Sequence, residues 1–302
     1  MIQPVRWEVT WPNGHAGYEL ISSSNTVLQR ATEMLHPFIA DFTGAPRCQW
    51  SIEADGDLWI PHLITGELPP VDEEFTYNEN PRTLDKALTT AEFASIWNLI
   101  YANPQPVSAH AALLGKGTSG VLILGPKYAG KSTLACALWR SGWDLLTDDV
   151  ALIDPQTAWC GATPRRVSLR HGSRELLGEK LWEKVLLSPS CSENAEGYLF
   201  APADISHQQI NPNLKLRAII FLARRSGPFT NDVSHSTTYA QMHSATLLTS
   251  LFPYTNISRL RGVGAAITTL TPLANQVPAF DVARQTPAQM VETMEEILQK
   301  VN

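Results

Sequence analysis

The sequence has few cysteines and no long apolar run, and these absences exclude several classes of protein. Its four cysteines form no C-x-x-C pair, so we expect neither a thiolate zinc site nor a disulfide framework. No run of about 18 apolar residues is present to span a bilayer. The opening segment MIQPVRWEVTW lacks the charged-then-apolar order of a signal peptide. We therefore expect a cytoplasmic protein with reduced thiols and no membrane partner.

Positive charge is also scarce. The chain has 23 Lys and Arg residues against 29 Asp and Glu residues, which gives a formal net charge of −6. Such a chain has no global electrostatic attraction to nucleic acid, so we expect no nucleic-acid partner. Hydrophobic residues make up 44% of the sequence, as is typical of a packed globular protein. The length of 302 residues suggests one large domain or two smaller ones.

The first hundred residues combine strand and helix patterns. The sequence predicts a strand over 17–21, a helix from about residue 25, a hairpin turn at Asp55-Gly56 and an amphipathic helix over 83–101. The segment Asn103-Pro104-Gln105-Pro106 then breaks that helix and stiffens the connection. We therefore predict an N-terminal α+β domain over 1–103 and a second domain over 104–302.

The second domain has a different pattern. Strands are predicted over 107–114, 121–124, 145–147, 150–153, 167–169, 216–222 and 279–282. Helices are predicted over 131–140, 173–187, 237–251, 264–270 and 287–301. This alternation is typical of an α/β domain whose helices cover a sheet.

The most informative motif lies between the strand over 121–124 and the helix over 131–140. The chain there contains Gly125-Pro126-Lys127-Tyr128-Ala129-Gly130-Lys131-Ser132-Thr133, which matches G-x-x-x-x-G-K-[ST]. Backbone N–H groups of such a loop bind anions, and the helix that follows adds the positive end of its dipole. Lys131 can reach the β- and γ-phosphates, and the Ser132 hydroxyl can ligate Mg²⁺. A glycine turn without a ligand is the alternative, but it does not need Lys-Ser after its glycine. We therefore predict ATP, or another nucleoside triphosphate, and Mg²⁺ as cofactors.

Two adjacent carboxylates follow the next predicted strand. Asp148 and Asp149 lie 16 and 17 residues after Ser132, in the usual place for a metal and base pair beside a phosphate-binding loop. Neighbours on an extended strand point to opposite faces, so we expect the two aspartates to differ in role. The alternative is a polar strand end in solvent.

At this point the chain resembles a known family. His110, the phosphate-binding loop and Arg140-Ser-Gly-Trp-Asp-Leu-Leu-Thr-Asp148-Asp149 are similar to the catalytic domain of bacterial HPr kinase/phosphorylase. The resemblance is closer to HPr-kinase-related kinases encoded beside peptide-maturation genes, including those that phosphorylate lasso-peptide precursors. It continues through Arg165-Arg166-Val-Ser-Leu-Arg170 and Tyr198-Leu-Phe-Ala-Pro202, and it spans about Val107 to Val282.

The resemblance implies a role for each matching residue. His110 matches the family's active-site histidine, although a lone strand histidine is usually a core residue. Asp148 and Asp149 match paired aspartates, of which one accepts the hydroxyl proton and the other helps to organise the metal. Arg170 matches an arginine that stabilises the transferring phosphate, with a plain surface arginine as the alternative. Ser168 stands where the family has a glutamate.

These observations together predict an α/β P-loop kinase with an HPr-kinase-like catalytic domain and a smaller N-terminal α+β domain. The metal ligands would be Ser132, Asp148 and Asp149, while Lys127 and Tyr128 would add a cation and a ring at the phosphate rim. We expect transfer of the γ-phosphoryl group to a Ser or Thr hydroxyl of a peptide or small protein. The N-terminal domain would help to present that acceptor. Its acidic loop Asp72-Glu73-Glu74 would meet a basic segment, with a plain solvated loop as the alternative.

Other functions stay open at the level of sequence. The acceptor is a small-molecule hydroxyl in one alternative and water in another. In a third, the chain is a non-catalytic nucleotide-binding module. Self-association into a homo-oligomer also stays open.

Overall fold

A computed structural model describes residues 3–301 except for residues 13, 69–76, 103–104, 128, 164, 195, 206–213, 223–237 and 284. The protein is a mixed α/β structure with several sheets. Within the described residues, no helix combines the length and the apolarity that crossing a bilayer requires. Tyr128, the acidic loop at 72–74 and half of the predicted boundary at 103–106 lie outside the described residues.

The N-terminal part contains a four-stranded sheet and two helices. Its elements are β1 (Val5–Trp11), β2 (Gly14–Ile21), α1 (Asn25–Leu35), β3 (Cys48–Asp55), β4 (Leu58–Thr65) and α2 (Leu84–Ala102). The strand order is β1-β2-β3-β4, with β2 and β3 parallel. Both helices pack their apolar residues on this sheet, which forms a core around Trp7, Tyr18 and Trp50.

The rest of the chain forms a large mixed sheet, a small sheet and six helices in the described residues. The strands are β5 (Val107–His110), β6 (Ala112–Lys116), β7 (Ser119–Leu124), β8 (Asp144–Thr147), β9 (Val150–Asp154), β10 (Trp159–Ala162), β11 (Val167–Arg170), β12 (Ser192–Asn194), β13 (Gly197–Phe200), β14 (Leu214–Leu222), β15 (Tyr239–Gln241) and β16 (Ala279–Val282). The helices are α3 (Lys131–Arg140), α4 (Ser173–Leu177), α5 (Glu179–Leu186), α6 (Ser244–Leu251), α7 (Asn256–Gln276) and α8 (Pro287–Val301).

Helices cover both faces of the large sheet. Its strand order is β5-β9-β10-β14-β7-β6-β8, and β16 pairs with β14 and β15. One apolar core lies between the sheet and α3, α4, α5 and α8, and a second lies between the sheet and α6 and α7. The small sheet has the order β11-β13-β12. This layering buries the strands on both faces, which is why β7 and β14 are almost entirely apolar.

Strand directions bring three chain segments to one edge of the large sheet. β6 is antiparallel to both β7 and β8, so β7 and β8 run in the same direction and end at the same edge. β6 begins at that edge, because Ala112 pairs with Ile123 near the end of β7. His110, the loop after β7 and the residues after β8 therefore meet there.

Several predicted elements differ from the observed ones. The predicted helix over 173–187 is broken into α4 and α5 at Gly178, whose φ of 75° is not helical. The helix predicted over 237–251 is wrong in its first part, because Tyr239–Gln241 pairs with β16 as a strand. The strand over 107–114 is interrupted at Ala111, whose N–H binds the Asp149 carbonyl. The sequence pattern does not predict β1, β10, β12 or β13.

Candidate active site

Two glycines and a lysine determine the conformation of the loop that follows β7 at this edge of the sheet. Gly130 precedes α3 with φ of 103°, a left-handed conformation that glycine adopts without steric cost. A Cβ atom on Gly125 would lie 3.1 Å from Ala129 and 3.2 Å from the Leu222 carbonyl oxygen. The Lys131 ammonium donates to the Gly125 carbonyl at 2.7 Å across the loop. The lysine and both glycines therefore fix a tight turn around the start of α3.

The first turn of α3 faces this loop. The first N–H groups of an α-helix have no partner inside the helix, and they carry the positive end of its dipole. Ser132 and Thr133 are exposed in this turn, and Lys127 is exposed on the loop. The arrangement offers hydroxyl groups, amide groups and two ammonium groups to an anion.

Asp148 and Asp149 lie in a bend between β8 and β9 rather than on an extended strand. The expectation of opposite faces on one strand is therefore wrong in its geometry. The two carboxylates are half-buried and face different partners. Burial lowers the pKa of Lys131, while the charges of Asp149 and Asp148 oppose that shift, so both carboxylates lie within electrostatic range of this lysine.

Asp149 is bound by two basic side chains. Its Oδ1 atom lies 2.8 Å from His110 Nδ1, and its Oδ2 atom accepts a hydrogen bond from Arg165. Burial alone would raise the pKa of Asp149, but the hydrogen bonds and charges of His110 and Arg165 hold it well below its usual range. These contacts favour the ionised form of Asp149 and tie it to the histidine and the arginine.

Asp148 has the opposite electrostatic character. Burial, together with the charge of Asp149, raises its pKa to about 6. Its Oδ2 atom accepts a hydrogen bond from the Ser168 main-chain N–H at 3.1 Å. Ser168 is on β11, so the small sheet is tied to the aspartate pair by this bond. A carboxylate with a pKa near neutral is suited to accept a proton.

The predicted site residues divide into two groups. His110, Lys131, Ser132, Thr133 and the aspartate pair converge at one sheet edge, together with Gly125, Lys127, Ala129 and Gly130 of the loop. Arg170 lies at the end of β11, two residues beyond Ser168, and is exposed. Tyr128 lies outside the described residues.

Arg165 has no role predicted from the sequence. Its guanidinium binds Asp149 and lies 4.1 Å from the centre of the Phe93 ring on α2. The neighbouring Arg166 is buried and binds Glu92 of the same helix at 2.7 Å. The only signal in the sequence was the Arg-Arg pair itself, because nothing local indicates that α2 contacts it.

The donor set beside the loop fits Mg²⁺. This ion takes oxygen ligands and usually keeps several waters, with one or two carboxylates and substrate phosphates. The Ser132 hydroxyl and the carboxylates of Asp148 and Asp149 are oxygen donors of this kind. Among the described residues, no group of three or more His, Cys, Asp or Glu side chains could hold a metal ion by itself.

No family model matches the chain, and no curated protein matches it. Among solved structures, the chain is similar to the Hpr(Ser) kinase/phosphatase from Coxiella burnetii, with 14% sequence identity and a TM-score of 0.32. The similarity covers 64% of this chain and 88% of that one. These values are too low to establish a common fold.

Proposed function

We propose that the chain is an ATP- and Mg²⁺-dependent kinase that phosphorylates a Ser or Thr hydroxyl of a peptide or small protein. The observation that carries this proposal is the convergence of Lys131, at the start of α3, with the Asp148–Asp149 pair at one sheet edge. The Lys131 ammonium can bind nucleotide phosphates, and the aspartate pair can accept the proton of an acceptor hydroxyl. Their sequence spacing, which resembles that of HPr-kinase-like enzymes, supports the same function.

The reaction would be an in-line displacement at the γ-phosphorus. The acceptor oxygen forms a bond to phosphorus while the bond from phosphorus to the β–γ bridging oxygen breaks, and ADP leaves. Asp148, with its pKa near 6, takes the hydroxyl proton. Lys131 and Arg170 stabilise the phosphate charge, and Asp149 holds His110 beside the reacting groups.

The metal would be held by a few protein oxygens. Ser132, with one or both aspartates, would bind Mg²⁺, and the ion would neutralise charge on the nucleotide phosphates.

Substitution of Lys131 tests the nucleotide site. We expect Lys131→Met to weaken ATP binding in calorimetry and to reduce phosphoryl transfer by about 100-fold or more, because a positioned cation is lost. The matched control is Lys215→Met, since Lys215 is an exposed lysine at the start of β14, on the opposite edge of the sheet. Thermal melting verifies that both variants fold.

The products separate the kinase from its alternatives. A kinase transfers label from ATP to a hydroxyl acceptor, and intact mass identifies a peptide product. A hydrolase releases phosphate without an acceptor, and a binding module binds ATP without turnover. Full transfer activity in Lys131→Met would contradict the proposed phosphate site.

A further inference from the structure

A cleft of about 520 Å³ lies between α2 and the small sheet. Phe93 and Leu199 supply its apolar surface, Lys86 and Thr90 line it from α2, and Glu193 lines it from β12. Its described lining contains no residue of the loop after β7 and neither aspartate. The cleft is therefore separate from the site assigned to the nucleotide.

Two arginines hold the walls of this cleft together. Arg30 binds both carboxylate oxygens of Asp85 on α2, at 2.8 and 2.9 Å, and also the main-chain carbonyl immediately before β12 at 3.0 Å. Arg166 donates to Thr89 on α2 and to Ser192 on β12, both at 2.7 Å. Because charged hydrogen bonds join both walls, the cleft is preformed, and a ligand would not have to order it on binding.

One end of the cleft contacts the aspartate site. Phe93 lines the cleft, and its ring lies 4.1 Å below the Arg165 guanidinium. Arg165 in turn binds Asp149. The side chains of Phe93 and Arg165 therefore lie between an occupant of the cleft and Asp149.

The edge of β12 offers main-chain groups to an occupant. In the described part of the chain, β12 pairs with β13 alone, so its other edge faces away from the small sheet. Successive residues of an antiparallel strand direct their N–H and C=O groups alternately toward and away from the partner strand. At least one residue of this three-residue strand therefore directs both groups to the outer edge, where an extended peptide can add as a further strand.

We propose that this cleft docks the acceptor as an extended peptide beside β12, with its Ser or Thr directed past Phe93 toward Asp148. The inference rests on the proposed kinase function and adds where its substrate binds. The described lining of the cleft includes Phe93 but neither aspartate, so a small molecule held within it would not reach Asp148. An extended chain advances about 3.3 Å per residue, so a few residues bridge that gap.

The test uses the full-length protein and a library of peptides of about 12 residues, each with one central Ser, which span about 40 Å when extended. Peptides that bind without nucleotide are selected on immobilised protein, and those phosphorylated with Mg-ATP are identified by mass. The best peptide then gives a dissociation constant, kcat and KM for each variant.

Thr90→Trp fills the cleft from α2, and Lys86→Glu changes its charge without removing buried packing. The matched control is Thr268→Trp on α7, because both threonines donate to the carbonyl four residues earlier. We expect Thr90→Trp to raise KM and the peptide dissociation constant by at least about tenfold, with kcat, ATP affinity and melting temperature unchanged. Lys86→Glu should change KM in a way that depends on peptide charge, and Thr268→Trp should match the wild type.

Each outcome separates this inference from the kinase proposal. If a peptide binds the wild type but not Thr90→Trp, and the wild type does not phosphorylate it, the cleft is supported and the kinase function is rejected. Phosphorylation with the same KM in the wild type, Thr90→Trp and Lys86→Glu would overturn the cleft and leave the kinase function intact. Lys131-dependent ATP binding without binding or phosphorylation of any peptide would also overturn it.

Discussion

Asp148 and Asp149 are neighbours in the chain with opposite electrostatic surroundings. Hydrogen bonds from His110 and Arg165 hold the pKa of Asp149 below its usual range, whereas burial raises the pKa of Asp148 to about 6. Such a separation is how two carboxylates at one site acquire different roles. Relative to an exposed aspartate, the surroundings favour the ionised form of Asp149 and the protonated form of Asp148.

The raised pKa of Asp148 predicts a pH-dependent stability of the metal-free protein. An unfolded Asp ionises near pH 3.9, so between about pH 4 and pH 6 the folded protein holds a proton that the unfolded chain has lost. The free energy of unfolding therefore falls as the pH rises through this window. The lowered pKa of Asp149 affects the free energy of unfolding at pH values below this window. We expect Asp148→Asn to gain a few degrees in melting temperature over the wild type between pH 4 and pH 7 in EDTA.

A suitable control is Asp57→Asn, because Asp57 is exposed in the hairpin turn of the N-terminal sheet. Its melting temperature should follow that of the wild type across the same pH range. A constant difference between Asp148→Asn and the wild type from pH 4 to pH 7 would show that Asp148 titrates like an exposed carboxylate.

At the scale of elements, helix α2 of the N-terminal part supports the aspartate site through a buried ion pair. The side chains of Glu92 and Arg166 are 1% and 0% exposed. Glu92 also accepts a hydrogen bond from the Arg166 main-chain N–H at 2.9 Å, just before β11 begins. The pair therefore fixes the chain between Arg165, which binds Asp149, and Ser168, which binds Asp148.

Breaking this pair is expected to destabilise the protein strongly. Glu92→Leu leaves the Arg166 charge buried and unpaired, which costs about 3–5 kcal/mol in the free energy of unfolding. Glu179→Leu removes the exposed partner of Arg174 and should leave the free energy of unfolding almost unchanged, because solvent screens this ion pair. Replacing Arg166 with Met in the Glu92→Leu background should recover much of the loss, since no buried charge remains. Urea unfolding measures all three, and equal costs for the two single variants would refute a buried ion pair.

Sequence periodicity predicted the elements whose pattern is local. Helices α3 and α8 have the predicted bounds, because one apolar face and clear end signals define each. β15 was predicted as helix, since its strand conformation depends on pairing with β16. In β1, Val5, Trp7 and Val9 alternate with polar residues as a half-buried strand requires, and the structure buries all three.

In the candidate site, too, sequence patterns predict the residues that are close in the chain and not those that meet only in the fold. The loop residues and the aspartates follow one another at a local spacing, so a motif could indicate them. Arg166 and Glu92 are separated by 74 residues, and no local pattern relates them. Arg165 could be recognised as part of the site only when α2 and the aspartate bend were seen together.

At the scale of the whole molecule, the N-terminal part and the large sheet are in direct contact across the predicted boundary at 103–106. Leu152 of β9 is buried in the apolar cluster of the N-terminal sheet, and Trp159 of β10 packs against it. Asn256 of α7 donates to the Ile100 carbonyl at 2.8 Å and accepts from the Ser108 N–H at 3.1 Å. Apolar and polar contacts therefore both join the N-terminal part to the large sheet.

These contacts predict that residues 105–302 alone do not form a stable fold. The shortened chain loses the contacts of Glu92 with the buried Arg166, of Phe93 with Arg165, and of Arg30 with the main-chain carbonyl immediately before β12. It also exposes apolar surface of the large sheet to water. We expect it to lose the cooperative melting of the full chain, to be cleaved faster by protease and to bind ATP weakly. Adding residues 3–102 as a separate chain should restore melting and ATP binding, because the same contacts can form between two chains. If residues 105–302 instead melted cooperatively at the full-chain temperature and bound ATP equally well, the N-terminal part would be an independent attachment and α2 would not support the aspartate site.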